Sequence, residues 1–309
     1  MTQHEHWDDY WEQGHLTSFG GELTQNYDDA IKAFWLRVIA TCQSDERVLD
    51  LCSGNGSLPE LFFNLAKERQ LALGILGVDL ADVTEFEKCH AFSGTSSQLK
   101  VSLKGKVSAE STGLEANQFS LITSQFGLEY TNLDLSLKEV ARLLTEQGRF
   151  VWLCHSSNSR LFKENMLILD FLNSFFTANV LETLQCLVKE LEVGQTDKSE
   201  RYRASLNESL AQLNQYNAEV FEFLNIRGFL KAVFTKANHA LKAEVISLFE
   251  TDLRNYQLRL DNLAQAAKSE SQLKLSIDHL AKLGLRLTEQ VELNDQWGVL
   301  AHQLAFIKE

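Results

Sequence analysis

The sequence has little proline, no paired cysteines and no long apolar run. It contains 1 proline among 309 residues, and residues 160–283 contain none. Its 5 cysteines include no Cys-x-x-Cys pair, which argues against both a zinc cluster and a redox pair, so we expect no metal. No apolar run reaches the roughly 18–20 residues that span a bilayer, so we expect no membrane partner.

Basic residues are also few. The chain has 29 Lys and Arg against 42 Asp and Glu, a net charge of −13, and residues 1–157 hold 22 of the acids but 12 of the bases. A broad nucleic-acid surface needs a basic stripe, so we expect no nucleic-acid partner. The polar, acidic N-terminus MTQHEHWDDYW is unlike a secretion signal. An odd cysteine count without such a signal indicates reduced thiols, and the expected location is the cytoplasm.

Strand and helix patterns alternate in the first half of the chain. Apolar residues recur at helical spacing from Tyr27 to Ala40, and Pro59 falls in the first turn of a second helix, where its missing N–H costs little. Alternation of this kind predicts a parallel sheet with helices on both faces. The predicted strands are Val48–Leu51, Ile75–Leu80, Val101–Val107, Phe119–Ser124 and Arg149–Cys154.

The second half of the chain has a different pattern. Residues 160–283 contain 2 glycines and long stretches of helical period, which predicts several long helices. Strand patterns return at Leu285–Leu293 and Val299–Ile307, and the turn between them indicates a hairpin. The predicted fold class is therefore α/β: a Rossmann-like, seven-stranded, mostly parallel sheet with a closing antiparallel hairpin and a large all-helical insertion between strands 5 and 6. The predicted domains are an N-terminal arm and helix (1–40), the core (41–159), the insertion (160–283) and the hairpin (284–309).

A glycine-bearing turn, residues 52–56, follows the first predicted strand and has the acid Asp50 at its mouth. Glycine-rich turns at this place usually cradle phosphates, but a carboxylate would repel a phosphate. A dinucleotide-binding turn would also want glycine where Pro59 stands. An acid suits a cationic ligand instead, while the glycines still let the backbone approach that ligand closely.

In this segment the chain resembles the class I S-adenosylmethionine (SAM)-dependent methyltransferases. Their first motif has the form acid-x-Gly-x-Gly-x-Gly, and Asp50 to Gly56 match it except at Cys52. Asp79 ends the second strand, where a carboxylate can accept both ribose hydroxyls. The resemblance covers residues 45–157 and 285–309 and implies SAM as cofactor. It implies these cofactor-binding residues: Asp50, Cys52, Ser53, Gly54, Asn55, Gly56, Asp79, Leu80, Ala109, Glu110, Ser124, Gln125 and Phe126.

Three groups of residues are candidates for the acceptor side of the site. His155, at the end of the fifth strand, could take a proton from a hydroxyl or amine, or could be a polar strand-end residue bonded to backbone. Glu129, after the fourth strand, could orient the acceptor or cap the next helix. The remaining candidates are aromatic and would form a lid that excludes water, or would anchor the arm to the domain. They are Tyr10, Trp11, Phe19, Tyr27 and Tyr130.

The predicted function is methyl transfer from SAM to a small-molecule acceptor, giving S-adenosylhomocysteine. Two alternatives stay open: a SAM-binding interaction module without catalysis, and a methyltransferase acting on RNA or protein through Lys100, Lys104 and Lys106. Pro59 and the closing hairpin disfavour a nicotinamide-dependent oxidoreductase. The helical insertion is expected to cap the acceptor or to form a homodimer.

Overall fold

The computed structural model describes residues 5–12, 14–15, 29–83 and 99–309. The chain divides into two compact units, which are described separately. The first unit is Met1–Phe162 with Leu263–Glu309, and the second, called the helical unit below, is Lys163–Asn262.

Seven strands of the described residues form one sheet in the first unit, in the order β3-β2-β1-β4-β5-β7-β6. Strands β1 to β5 pair in parallel, whereas β7 is antiparallel to both β5 and β6. This arrangement confirms the predicted mostly parallel sheet and its closing hairpin. The strands are β1 (Glu46–Leu51), β2 (Leu73–Val78), β3 (Lys100–Lys104), β4 (Phe119–Gln125), β5 (Leu144–His155), β6 (Leu285–Asp295) and β7 (Gly298–Lys308).

Helices occupy most of the remaining described chain, and a short 3-10 turn, Leu128–Tyr130, follows β4. The helices are α1 (Glu5–Glu12), α2 (Asp29–Ala40), α3 (Ser57–Glu68), α4 (Leu133–Leu143), α5 (Arg160–Thr177), α6 (Val180–Val193), α7 (Asp197–Tyr216), α8 (Ala218–Phe223), α9 (Ile226–Thr235), α10 (His239–Ala266) and α11 (Glu270–Lys282).

The sheet has a hydrophobic core on each face, because successive strand residues point to opposite sides. Val48 packs on one face with Trp35 of α2 and Phe62 of α3. Leu49, the next residue, packs on the other face with Leu137 of α4 and with α11. Burial on both faces explains why Val48 and Leu49, which are neighbours in β1, are both apolar.

The helical unit is shorter than the predicted insertion, since α11 belongs to the first unit. Leu273 and Leu280 of α11 are fully buried in the core beside the sheet. Within the helical unit, Thr196 and Ser199 form a capping box at the start of α7. Among the described helices, no single one is long and apolar enough to cross a bilayer; α5 and α6, bent by 42° at their junction, meet the length and composition only as a pair.

Candidate active site

The turn after β1 keeps a left-handed backbone. Gly54 and Gly56 have φ of 50° and 84°, and Cys52 has φ of 58°. Backbone angles of this kind favour glycine, so the spacing of the two glycines is a conformational requirement of the turn. The Ser53 N–H donates to the Val78 carbonyl at 3.0 Å, which ties the turn to the end of β2.

Two acids flank this turn at the carboxyl ends of β1 and β2. Asp50 is buried and accepts a hydrogen bond from Thr123 Oγ1 at 2.8 Å. Burial raises the pKa of Asp50 to about 8, and the nearby charge of Asp79 adds to that rise. Asp79 accepts from the N–H of Gly54 at 2.7 Å and from the N–H of Ala81 at 2.9 Å. Burial raises the pKa of Asp79 as well, against the opposing effect of these two bonds. Burial thus favours the protonated form of both carboxyl groups, and a cation bound beside them would favour their ionised forms.

Ser53 has a buried hydroxyl group without a hydrogen-bond partner. Within the described part of the chain, no other buried side-chain nitrogen or oxygen lacks a partner. Buried polar atoms in proteins are nearly always bonded, and an unbonded one needs an explanation. A polar group of a bound ligand would supply the missing bond.

The segment after β4 lies beside the same turn. Ser124 Oγ donates to the Leu51 carbonyl at 2.9 Å and accepts from the Leu128 N–H at 3.1 Å. Gln125 Oε1 accepts from the indole N–H of Trp35. These two predicted cofactor residues are thus bonded within the protein, and they hold the end of β4 in place. A Cβ at Gly127 would come within 2.3 Å of the Cys52 side chain, which shows how closely the two segments approach.

Glu129 and His155, the two candidate catalytic residues, are joined through the backbone of His155. Glu129 Oε1 accepts from the His155 backbone N–H at 2.8 Å, and Oε2 accepts from the Trp152 indole at 3.2 Å. Burial raises the pKa of Glu129 to about 7, although these hydrogen bonds oppose the rise. The His155 ring stacks on Phe126, with centroids 4.4 Å apart. Burial lowers the pKa of His155 to about 3, so its imidazole is neutral at neutral pH.

Helix α1 lies over the glycine turn. Asn55 Nδ2 donates to the carbonyls of Trp11 and His15 at 2.9 and 2.8 Å. The Trp11 ring packs so closely on Gly54 that a Cβ there would meet the ring at 2.6 Å. The Asp82 N–H donates to Asp8 Oδ1 at 3.0 Å and gives the helix a further attachment.

Aromatic rings connect α1 to the end of β4. Trp7 meets Tyr130 edge-to-face at 5.7 Å, and Tyr130 meets the His155 ring at 5.9 Å. Tyr10 and Trp11 pack against each other at 5.1 Å. Trp7 is not among the predicted lid residues, although residues 7, 10 and 11 have the spacing of one helix face. The predicted lid residues Phe19 and Tyr27 lie outside the described residues.

The remaining predicted cofactor residues follow β2 and β3. Leu80 is exposed, and Ala109 is buried in a core beside the sheet. Glu110 Oε1 accepts from the Asn132 N–H at 2.8 Å, at the start of α4. The Val107 N–H donates to the Asp79 carbonyl at 2.8 Å, which places this segment next to the second acid.

Comparisons with known proteins identify similar folds at low sequence identity. Neither a protein-family model nor a curated protein sequence matches the chain. Among solved structures, phosphoethanolamine N-methyltransferase 2 of Haemonchus contortus, in complex with SAM, is 13% identical with a TM-score of 0.39; the match covers 98% of this chain and 60% of that one. A putative methyltransferase of Haloferax volcanii, in complex with the activator Trm112, is 10% identical with a TM-score of 0.47, covering 97% and 96%.

A third similar structure is a putative SAM-dependent methyltransferase of Listeria monocytogenes, 13% identical with a TM-score of 0.43; the match covers 90% of this chain and 98% of that one. All three of these structures are described as methyltransferases or putative methyltransferases. Identities this low leave the chemistry of the present site to be argued from its own residues.

Proposed function

We propose that the chain is a SAM-dependent methyltransferase of class I that binds its cofactor at the turn after β1. The observation that carries this proposal is the pair of buried acids, Asp50 and Asp79, on either side of a glycine turn. A ligand with a sulfonium and an ammonium group would be attracted by these carboxyl groups in their ionised forms, whereas a phosphate ligand would be repelled by them. SAM, when bound, supplies an electrophilic methyl group to the acceptor.

The residues present fit this cofactor. Asp79 offers carboxylate oxygens for ribose hydroxyls, and the unbonded Ser53 Oγ offers a further hydrogen bond. Gly54 leaves space above the backbone, which the Trp11 ring now fills. We propose that α1 shifts when SAM binds and then closes over it, so that the arm excludes water from the site.

For the acceptor we propose a small molecule held between α1 and the end of β4. The ring cluster of Trp7, Tyr130 and His155 supports this, because it offers an apolar surface with few polar groups. A neutral His155 could accept a hydrogen bond from an acceptor hydroxyl or amine, but its low pKa makes it a weak base. Glu129, which is 3% exposed, would act as a positioning residue by holding the His155 backbone.

Two roles are considered for the helical unit. We propose that it encloses the acceptor or forms a homodimer. Sedimentation of the purified chain separates the two roles, since a dimer would favour the second and a monomer the first.

Calorimetry with SAM, S-adenosylhomocysteine and NAD tests the cofactor. We expect micromolar binding of the first two and none of NAD; binding of NAD instead would overturn the proposal. Release of S-adenosylhomocysteine is then measured with fractions of a cell extract. Turnover with a small-molecule fraction supports the proposed acceptor, turnover only with RNA or protein replaces it, and binding without any turnover favours an interaction module.

A further inference from the structure

A cavity of about 710 Å³ lies between α4 and α11, on one face of the sheet. Leu133 and Leu137 of α4 line it, together with Leu275 and Ser276 of α11. None of the residues proposed to bind SAM is part of its lining. The cavity is therefore separate from the proposed SAM site and is lined by different residues.

Lys268 is the most buried charge in this lining. The residue is 8% exposed, and its ammonium makes no hydrogen bond or ion pair with any residue of the described chain. Its backbone is fixed: the N–H donates to the His155 carbonyl at 2.8 Å, and the carbonyl accepts from the Ser157 N–H at 3.0 Å. His302 Nε2 lies 3.1 Å from the same carbonyl. Burial lowers the pKa of Lys268, and the nearby carboxyl group of Glu129 opposes that effect. A backbone anchored in this way keeps Lys268 in the cavity wall.

The other charges of the lining leave an excess of cations. Its three lysines outnumber its two acids, and each acid contacts a basic side chain. Asp134 lies 3.2 Å from His279 Nδ1, and Asp278 lies 3.2 Å from Lys274 Nζ. The exposed Lys138 and Lys282 also line the cavity, and neither has an ion pair with a described residue. Three lysines thus line one cavity in a chain whose net charge is −13.

We propose that this cavity binds a small molecule through a phosphate group, with Lys268 as the inner cation and Lys138 and Lys282 at the rim. Ammonium groups act as compact point charges and are common phosphate ligands. A phosphate group carries up to two negative charges on three oxygens, which can meet separate ammonium groups, whereas a carboxylate carries one charge on two oxygens. A lining with three lysines therefore favours phosphate over carboxylate.

Such a ligand would be coupled to the candidate active site. The positive charge of Lys268 acts on Glu129 and lowers the pKa of that carboxyl group, against the larger effect of burial. A phosphate on Lys268 would cancel this influence and favour the protonated form of Glu129. Because coupling between two sites is reciprocal, protonation of Glu129 would in turn strengthen phosphate binding.

The test uses the full chain and needs no methyl transfer, so its result is independent of the proposed function. Inorganic phosphate and pyrophosphate are titrated by calorimetry into the wild type, Lys268→Met and Lys104→Met. Lys104 of β3 is the control, because it is an exposed lysine of the same unit that does not line the cavity. We expect one bound pyrophosphate per chain in the wild type, affinity lowered about tenfold or more in Lys268→Met, and no change in Lys104→Met.

A second variant covers the case in which Lys268→Met does not fold. The double variant Lys138→Met and Lys282→Met changes exposed residues, and we expect it to weaken pyrophosphate binding about threefold to tenfold. The proposal is overturned if the wild type binds neither phosphate nor pyrophosphate at millimolar concentration, or if all variants bind alike. Binding of citrate in preference to pyrophosphate would overturn the phosphate assignment and leave a carboxylate site.

Discussion

The two compact units bury different kinds of side chain. In the helical unit the buried polar side chains, among the described residues, are Ser199 and Asn255, and Ser199 is used in a capping box. In the first unit many more are buried, and a group of them lies at the carboxyl ends of the strands. That group is Asp50, Ser53, Asn55, Thr123, Ser124, Glu129 and His155.

The two kinds of buried side chain contribute differently to the free energy of folding. Buried apolar side chains stabilise a fold directly, whereas buried polar groups cost free energy unless they are bonded. Parallel strands place their carboxyl ends at one edge, so the polar groups of several strands accumulate there. We infer that changes of buried side chains in the helical unit affect mainly stability, and that changes of the buried polar side chains at this edge affect mainly binding and chemistry.

The largest expected effect is a loss of stability caused by a substitution in the core of the helical unit. Leu184→Ala in α6 removes a fully buried side chain of the helical unit. We expect the free energy of unfolding to fall by about 2–5 kcal/mol, because a cavity is left behind. Chemical denaturation measures this, with Leu167→Ala as the control, since Leu167 is 57% exposed. SAM affinity of the folded variant should be unchanged; a large loss of affinity would contradict the separation of the units.

Asp79→Ala tests the edge of the sheet. The variant loses the carboxylate that accepts from the Gly54 N–H and that is proposed to accept ribose hydroxyls. We expect SAM affinity to fall about tenfold to a hundredfold, measured by calorimetry. Asp82→Ala is the matched control, because Asp82 follows the same strand but pairs with Lys106 at 2.7 Å. Equal affinity in the two variants would remove Asp79 from the cofactor site.

Glu129→Gln tests a buried acid that we assign to positioning. A glutamine offers one acceptor oxygen where Glu129 accepts from both the His155 N–H and the Trp152 indole. We expect a loss of about 1–3 kcal/mol in the free energy of unfolding. Methyl transfer should fall while SAM affinity stays the same. The control is Glu146→Gln, whose side chain is 74% exposed; normal turnover in Glu129→Gln would exclude a positioning role.

The pH dependence of cofactor binding tests whether Asp50 loses a proton when SAM binds. Its pKa is raised to about 8 without a ligand, and a bound cation favours the ionised form. Below that pKa a proton must leave as SAM binds, so affinity should rise by up to about tenfold from pH 7 to pH 9 and then level off. Calorimetry across this range measures the slope. Asp50→Asn should reduce it, and an unchanged slope in that variant would assign the titration to another group.

The smallest expected effect concerns the arm. Asn55→Ala removes the two hydrogen bonds to the carbonyls of Trp11 and His15. We expect a loss of about 1 kcal/mol in the free energy of unfolding and faster protease cleavage near the N-terminus. Asn64→Ala, on the exposed side of α3, is the control. Equal cleavage of both variants would mean that other contacts hold the arm.

Much of the fold could be predicted from local patterns. Apolar runs such as Val48–Leu51 are strand-length and buried on both faces, so they predict parallel strands. The assignment of α11 could not be predicted, because Leu273 and Leu280 have the same helical spacing as the helices before it. Which core a helical stripe packs against depends on residues far away in the chain.

The sequence by itself determined three features. Strand length determined the order of the elements, glycine spacing determined the turn after β1, and the position of each charge determined the acids at the ends of β1 and β2. The tertiary structure decided the rest. It placed Trp11 on Gly54, bonded Glu129 to Trp152 and His155, and buried Lys268 in the wall of a cavity. Each of these contacts joins residues more than twenty positions apart or depends on packing, and such partners leave no local signal because only the assembled fold brings them within reach.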